Sequence, residues 1–229
     1  MLEYELKFVV PSHHLAPIFD FVNLACRPDS EHPAGIVSSI YYDSPNWRAL
    51  YEKINSDYVK TKYRLRWYRD TASGKFSETS FAESKHRIGC RRVKSRVTTE
   101  LPPEQLNEIS LDDRKLLNIP AWMRSNGISA RGNLLPSILI SYTRSRYIEP
   151  TTGARVSIDS GIAAPRINRF MLPNGTGSAL SHAVIEVKSG LDTLPRPLRP
   201  LTRLGIRKAS FSKYLACYAK CIQTEFLPL

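Results

Sequence analysis

The sequence predicts an α+β fold in which antiparallel strands, each with one apolar and one charged face, are combined with helices. Residues 62–67 alternate between the cations Lys62, Arg64 and Arg66 and apolar side chains, which is the period-two pattern of a strand. The same two-faced pattern recurs in six strands, and helical segments lie between them. The length of 229 residues suits one large domain or two small ones, and we expect a single domain over residues 1–229.

Each predicted strand follows from alternating apolar and polar residues, and each predicted helix follows from capping residues or prolines. Alternation predicts strands at residues 3–10, 36–42, 58–69, 76–87, 138–148, 155–160 and 183–188. Capping residues and prolines predict helices at residues 12–25, 45–51 and 210–221, a helical stretch that begins at residues 102–104, and a further helix over residues 112–117 and beyond. Residues 101–131 are interpreted as a helical insert between strands rather than a separate domain, because the segment is too short for a core of its own.

Composition indicates the kind of partner. The net charge of +12 favours a polyanion, which could be nucleic acid, an acidic membrane surface, a nucleotide or condensed phosphate. We find neither a signal peptide nor a run of about 18 apolar residues, so we expect a cytoplasmic protein with no transmembrane segment. The cysteines lack zinc-type spacing and are predicted to be free thiols; they are Cys26, Cys90, Cys217 and Cys221.

The charged faces mix cations with carboxylates. They are Glu3/Glu5/Lys7, Lys62/Arg64/Arg66, Glu83/Lys85/Arg87, Arg144/Arg146, Arg155/Asp159 and Glu186/Lys188. In an open sheet these faces would point to water, whereas in a closed antiparallel barrel with helices outside they would line the interior. The pattern alone fits both architectures. A charged interior would hold a polyanion with a divalent metal, because cations bind phosphate oxygens and carboxylates bind Mg²⁺ or Mn²⁺.

Nine short segments carry a resemblance to a known family. They are Glu3-Tyr4-Glu5-Leu6-Lys7, Tyr41-Tyr42-Asp43, Tyr63-Arg64-Leu65-Arg66-Trp67-Tyr68, Glu83-Ser84-Lys85-His86, Val93-Lys94, Tyr142-Thr143-Arg144, Ser157-Ile158-Asp159, Val184-Ile185-Glu186-Val187-Lys188 and Phe211-Ser212-Lys213-Tyr214. The first resembles the Glu-x-Glu-x-Lys signature of the triphosphate tunnel metalloenzymes. The ordered set resembles the VTC (vacuolar transporter chaperone) domain, the polyphosphate polymerase branch of that superfamily, over nearly the whole chain.

The resemblance implies a closed eight-stranded antiparallel barrel forming a tunnel, with helices packed outside and a C-terminal helix near one mouth. It implies that the triphosphate or the growing chain is bound by Lys7, Arg64, Arg66, Lys85, Lys94, Arg144 and Lys213. It also implies that Glu186 holds the metal, with Glu3 and Glu5 as further candidates. Because they share the charged faces, Lys62, Arg146 and Lys188 are added as predicted substrate-binding residues.

The leading hypothesis is transfer of the γ-phosphoryl group of ATP onto a polyphosphate chain, with Mn²⁺ or Mg²⁺ as cofactor. One alternative is a metal-dependent triphosphatase that acts on inorganic triphosphate or a nucleotide. Another is a non-catalytic module that binds polyphosphate or RNA, although carboxylates within a cationic face have no use in a pure anion binder. The family's eukaryotic members carry a separate sensor domain and membrane helices, and we expect neither here.

Overall fold

One antiparallel sheet of eleven strands frames the protein in the computed structural model, which describes residues 3–89 and 91–223. The strands are β1 (Tyr4–Pro11), β2 (Arg27–Pro28), β3 (Ala34–Asp43), β4 (Val59–Arg69), β5 (Ser80–Ile88), β6 (Arg91–Thr99), β7 (Leu135–Ile148), β8 (Arg155–Ile167), β9 (Ser178–Ala179), β10 (His182–Ser189) and β11 (Arg207–Lys208). The helices are α1 (Leu15–Ala25), α2 (Arg48–Ile54), α3 (Pro103–Glu108), α4 (Arg114–Leu117), α5 (Ile119–Ser125) and α6 (Lys213–Cys221). Two 3₁₀ segments are Ser12–His14 and Arg196–Leu204.

The prediction of a closed eight-stranded barrel is wrong, because the sheet is open. Its strand order is β11-β1-β10-β8-β7-β3-β4-β5-β6, and no backbone pairing within the described residues joins β6 to β1 or β11. Part of the outer edge of β1 is occupied by β11, with Phe8 opposite Lys208 and Val9 opposite Arg207. The free edge at β6 is rich in arginine and lysine, which is typical of edges protected against further pairing.

The open sheet nevertheless curves until its two end regions face each other. Glu5 on β1 accepts a hydrogen bond from Arg92 on β6 at 2.8 Å, and its carboxylate lies 3.8 Å from the ammonium of Lys85 on β5. These contacts join the ends through side chains rather than through a backbone ladder. The sheet therefore has a concave face and a convex face.

The apolar faces of several strands pack under helices on the convex side. Tyr63, Leu65 and Trp67 of β4 are buried in one cluster with residues of α3, α4 and α5. Leu6 and Phe8 of β1 lie in a second cluster with residues of α1. Burying a large apolar side chain stabilises a fold by roughly 1.5–3 kcal/mol, so these packed faces direct the alternate, charged residues to the concave side.

Helix α6, which was expected near one mouth of a tunnel, packs against the concave face of the open sheet. Tyr41 lies directly opposite Arg64 in the sheet and therefore shares its concave face, and Tyr214 of α6 stacks on Tyr41 with ring centroids 4.9 Å apart. Cys217 and Cys221 are buried free thiols in the same apolar cluster. Cys90, also predicted to be a free thiol, lies outside the described residues. Helix α6 thus fills part of the concavity and begins beside its charged residues.

None of the helices in residues 3–89 and 91–223 has the length and apolar composition needed to cross a bilayer.

Candidate functional site

Strand register brings the predicted cations together on the concave face. Antiparallel pairing places residues that lie directly opposite each other on the same face of a sheet. Across β4, β5 and β6 two rows result, which are Lys62–Lys85–Lys94 and Arg64–Glu83–Arg96. Across β1 and β10, Lys7 lies opposite Glu186 and Glu5 opposite Lys188.

The first group of interacting charges, called the Glu83 cluster, consists of Glu83 with Arg64, Arg66, Lys94 and Arg96. Glu83 is 1% exposed, and its Oε2 accepts a hydrogen bond from Arg64 Nε at 2.7 Å. Its Oε1 accepts one from Arg96 Nε at 2.6 Å and lies 2.9 Å from Lys94 Nζ. Burial opposes the charge of Glu83, but Arg64 and Arg66 hold the pKa of its carboxyl well below its usual range. Glu83 is therefore an ionised anchor that orients the surrounding cations.

The second group, called the Glu186 cluster, consists of Glu186 and Asp159 with Lys7, Arg144 and Lys213. Glu186 Oε1 accepts hydrogen bonds from Lys7 Nζ at 2.9 Å and from Lys213 Nζ at 3.3 Å, and its Oε2 accepts one from Arg144 Nη2 at 3.4 Å. Arg144 also forms a two-pronged pair with Asp159 at 2.5 and 2.7 Å. Lys213, the first residue of α6, lies 2.5 Å from Asp159 Oδ2. Cations from two strands and one helix thus converge on two buried carboxylates from two further strands.

The neighbouring opposite charges determine the protonation states of Glu186 and Lys213. Burial alone would raise the pKa of Glu186, but Lys213, Lys7 and Arg144 hold it well below its usual range. Burial would lower the pKa of Lys213, but Asp159 and Glu186 raise it above its usual value. The carboxylate is therefore anionic and the ammonium cationic at neutral pH.

Two tyrosines lie among these cations. The Tyr142 hydroxyl accepts a hydrogen bond from Arg66 at 3.4 Å, and Lys213 Nζ and the Arg144 guanidinium lie 4.9 and 5.4 Å from the centre of its ring. The Tyr41 hydroxyl accepts a hydrogen bond from Arg64 at 3.5 Å. Tyr142 therefore links the Glu83 cluster to the Glu186 cluster, so that the two form one continuous cationic surface.

The positive charges of Lys62 and Lys85 are less well neutralised by nearby carboxylates than those of the two clusters. Lys62 donates a hydrogen bond to Ser212 Oγ at 2.8 Å, and among the described residues no carboxylate lies within 4 Å of it. Burial, together with the neighbouring charges of Lys7 and Lys85, lowers the pKa of Lys62 to about 7. Partial burial also lowers the pKa of Lys85 to about 8, even though Glu5 opposes this change and nearly half of the side chain is exposed. Such sites favour an anionic ligand, which would supply the missing negative charge.

The carboxylates fit a metal that is shared with a phosphate ligand better than a metal held by protein alone. No group of three His, Cys, Asp or Glu side chains in residues 3–89 and 91–223 is arranged to hold a metal ion. Glu5 and Glu186 come close to each other, since Lys7 Nζ lies 3.2 and 2.9 Å from an oxygen of each. Mg²⁺ is commonly bound by one or two carboxylates together with substrate phosphates, which is the donor set available here. Glu3 instead pairs with Arg155 and is half-exposed.

The remaining predicted residues lie at the edges of this surface. Arg146 donates a hydrogen bond to the carbonyl oxygen of His32 at 3.1 Å, and Lys188 lies opposite Glu5. Sequence reasoning assigned no site role to Asp159 or to four other concave residues, which are Glu83, Arg92, Arg96 and Tyr142. Glu83 and Asp159 lie on the same charged strand faces as predicted cations, and this pattern could have indicated their place in the site.

A comparison with protein-family models matches the VTC domain over residues 2–222. The chain therefore belongs to the VTC domain family, and the resemblance found in its sequence is confirmed. A comparison with curated proteins gave no significant match.

Solved structures share the fold at low sequence identity. A protein of Pyrococcus horikoshii is 16% identical, with a TM-score of 0.52, over 96% of this chain and 99% of that one. A Bacillus halodurans protein described as a candidate adenylate cyclase is 10% identical, with a TM-score of 0.50, over 92% of this chain and 94% of that one. At these identities the likeness concerns the fold alone.

Proposed function

We propose that this protein transfers the γ-phosphoryl group of ATP to the end of a phosphate chain on its concave face, with Mg²⁺ or Mn²⁺ as cofactor. The observation that carries the proposal is the convergence of Lys7, Arg144 and Lys213 on Glu186, within a face whose other cations outnumber its carboxylates. A polyanion would neutralise this excess charge. Membership of the VTC domain family supports the same assignment.

Phosphoryl transfer requires alignment and charge neutralisation more than covalent chemistry from the protein. Arg64 and Arg66 present guanidinium groups, which bind phosphate oxygens in a two-pronged manner. Glu83 orients Arg64, and Ser39 Oγ accepts a hydrogen bond from Arg66 Nε at 3.0 Å. In the reaction a terminal phosphate oxygen forms a bond to the γ-phosphorus, the bond to the β-phosphate oxygen breaks, and ADP leaves with that electron pair.

In the proposed reaction Lys213 and Lys7 neutralise the equatorial oxygens of the transferred group, and the contact of both ammonium groups with Glu186 supports this role. A divalent ion bound by Glu186, with Glu5 as a second ligand, would add positive charge on the same phosphate oxygens. Glu186 therefore has two functions in the proposal, which are to orient cations and to hold the metal.

Hydrolysis of triphosphate is the second candidate function, and the open sheet favours it. The side chains of Lys85 and Lys94 are 45% and 50% exposed, so water reaches the cationic surface. With water as the nucleophile, the same residues would support a triphosphatase.

The deciding experiment incubates the protein with ATP and Mn²⁺ or Mg²⁺ and measures polyphosphate, free phosphate and ADP together. We expect one ADP for each phosphate residue that is added to polyphosphate. Free phosphate without polymer would favour the triphosphatase instead. Binding of polyphosphate without turnover would contradict both enzymatic assignments.

We expect Glu186→Gln to lower metal-dependent turnover by about a hundredfold, the scale for losing one transition-state interaction. The exposed Glu78→Gln variant is the matched control and should retain wild-type turnover. Arg64→Ala should weaken substrate binding and turnover together, because it removes charge-assisted hydrogen bonds. Undiminished activity of correctly folded Glu186→Gln, verified by thermal denaturation, would exclude the proposed role of Glu186.

A further inference from the structure

A cavity of about 570 Å³ opens at one edge of the concave face and is lined by residues from β3 to β7 and from the segment between β4 and β5. Its walls include three aromatic residues, Tyr68, Phe76 and Phe81, and three arginines, Arg69, Arg96 and Arg146. This volume lies within the range of about 300–1,000 Å³ found for small-molecule sites. None of the three aromatic side chains has a role in the phosphoryl transfer proposed above.

The cavity is continuous with the Glu83 cluster. Phe81 lies directly opposite Arg66 in the sheet, so the two side chains are neighbours on the concave face. Arg96 belongs to both sites, because its Nε donates to Glu83 at 2.6 Å and its guanidinium lies 4.2 Å from the centre of the Phe81 ring. A ligand whose phosphates contact Arg64 and Arg66 would therefore extend its next chemical group into this cavity.

The lining suits a flat ring attached to an anionic tail. Tyr68 and Phe81 pack edge to face with centroids 6.3 Å apart, and Arg96 donates a hydrogen bond to the Tyr68 hydroxyl at 2.8 Å. The arginine is thereby fixed as a planar cation over an aromatic ring. Nucleobases stack on both aromatic rings and guanidinium planes.

The charge of the cavity favours the same ligand class. Its acidic residue, Asp70, is engaged in a turn, where Oδ1 accepts hydrogen bonds from the backbone of Ala72 and Ser73 at 3.1 and 2.6 Å. The arginines thus remain the dominant charges toward the ligand. An inorganic phosphate chain would use these cations but would gain nothing from the aromatic rings.

We infer that this cavity binds the nucleobase and ribose of a nucleoside triphosphate whose phosphates lie on the Glu83 cluster. The inference rests on the proposed function for the position of the triphosphate. It makes Phe81 and Tyr68 determinants of selectivity for a nucleotide over inorganic tripolyphosphate, and it assigns ADP release to this edge of the sheet.

The test compares ATP with inorganic tripolyphosphate as ligands of wild type, Phe81→Leu and Phe81→Trp, by calorimetric titration and by steady-state turnover. Leucine preserves apolar volume but removes the aromatic face, whereas tryptophan preserves an aromatic face. We expect Phe81→Leu to weaken ATP binding by about tenfold, the order observed when a stacking partner is removed. Its affinity for tripolyphosphate should change less than twofold, and Phe81→Trp should retain ATP affinity.

Phe170→Ala, at a surface aromatic residue that is 77% exposed, serves as the control and should bind both ligands like wild type. Equal losses for ATP and tripolyphosphate in correctly folded Phe81→Leu would overturn the inference and assign the cavity to the phosphate chain. Because the titrations need no turnover, they test the cavity even if the proposed reaction fails. A wild type that binds both ligands with the expected selectivity but turns over neither would contradict only the proposed function.

Discussion

Lys62 brings a positive charge to the concave face without a carboxylate partner among the described residues. Its neighbours across the sheet and along the strand, Lys85 and Arg64, are also cations. Like charges directly opposite each other destabilise a sheet. The folded protein therefore carries an unfavourable charge at a position suited to an anionic ligand.

The pH dependence of stability should report this charge. Burial and neighbouring cations lower the pKa of Lys62 from 10.5 to about 7 in the folded protein. Between about pH 7 and pH 10, Lys62 is protonated in the unfolded chain but deprotonated in the folded protein. The free energy of unfolding therefore rises with pH across this range. The destabilising effect of the Lys62 charge is complete below about pH 7 and is lost as the pH rises above it. We expect Lys62→Met to raise the free energy of unfolding by about 1–3 kcal/mol at pH 6.5 and by much less at pH 9.5.

Urea denaturation at the two pH values measures this difference. The exposed Lys75→Met variant is the control and should change the free energy of unfolding little at either pH. A gain from Lys62→Met that is the same at pH 6.5 and pH 9.5 would show that the effect is apolar packing rather than relief of charge.

The cations of the site could be predicted from sequence more readily than their carboxylate anchors. Arg64 and Arg66 follow from period-two alternation within one strand, which needs no knowledge of the partner strands. The role of Glu83 depends on Arg64 and Arg96, which β4 and β6 place on either side of it. That role arises from register between separate strands, and register is a tertiary property.

At the scale of single elements, α6 is held in the concavity by a polar contact with Asp43 at the end of β3, which also caps the start of α2. The Tyr214 hydroxyl donates to Asp43 Oδ2 at 3.0 Å, and Asp43 also accepts hydrogen bonds from the first turn of α2 through the amides of Ala49 and Leu50 at 2.9 and 3.1 Å. One carboxylate therefore fixes two helices. Because Lys213 precedes Tyr214 directly, this contact also positions an ammonium of the Glu186 cluster.

Removing the hydroxyl should loosen α6 while leaving its ring packed. We expect Tyr214→Phe to lower the free energy of unfolding by about 1–3 kcal/mol, because the hydroxyl lies within hydrogen-bond distance of both Asp43 and Ser137. It should also weaken tripolyphosphate binding through the displaced Lys213. Chemical denaturation and calorimetric titration measure the two effects, with Tyr58→Phe at a residue that is 73% exposed as the control. Loss of stability with unchanged tripolyphosphate affinity would contradict the positioning role.

For the whole molecule, the sequence predicted which faces of the strands are charged, but it did not predict whether the sheet closes into a barrel. Alternation determines the face on which Glu5 or Lys85 lies, whereas closure depends on which edges pair. The edge of β1 is covered by Arg207–Lys208, a segment of two residues that is too short to show any periodicity. The pattern fitted either an open sheet with its charged faces in water or a closed barrel with charged faces inside, and the family resemblance favoured the barrel. The structure combines the two, because its sheet is open but its charged faces line a concave surface.

The open sheet leaves side chains to hold its ends together, and the hydrogen bond from Arg92 to Glu5 spans that gap. Because the Arg92 side chain is 38% exposed, the pair should contribute only about 0–1 kcal/mol to global stability. We expect Arg92→Gln to leave the unfolding midpoint nearly unchanged but to speed amide hydrogen exchange in residues 91–99. High salt should speed the same exchange in wild type by screening the pair. Arg91→Gln is the control, because the side chain of Arg91 lies on the opposite face of the strand. Equally faster hydrogen exchange in both variants would show that the total charge of the strand, and not the pair with Glu5, controls exchange at this edge.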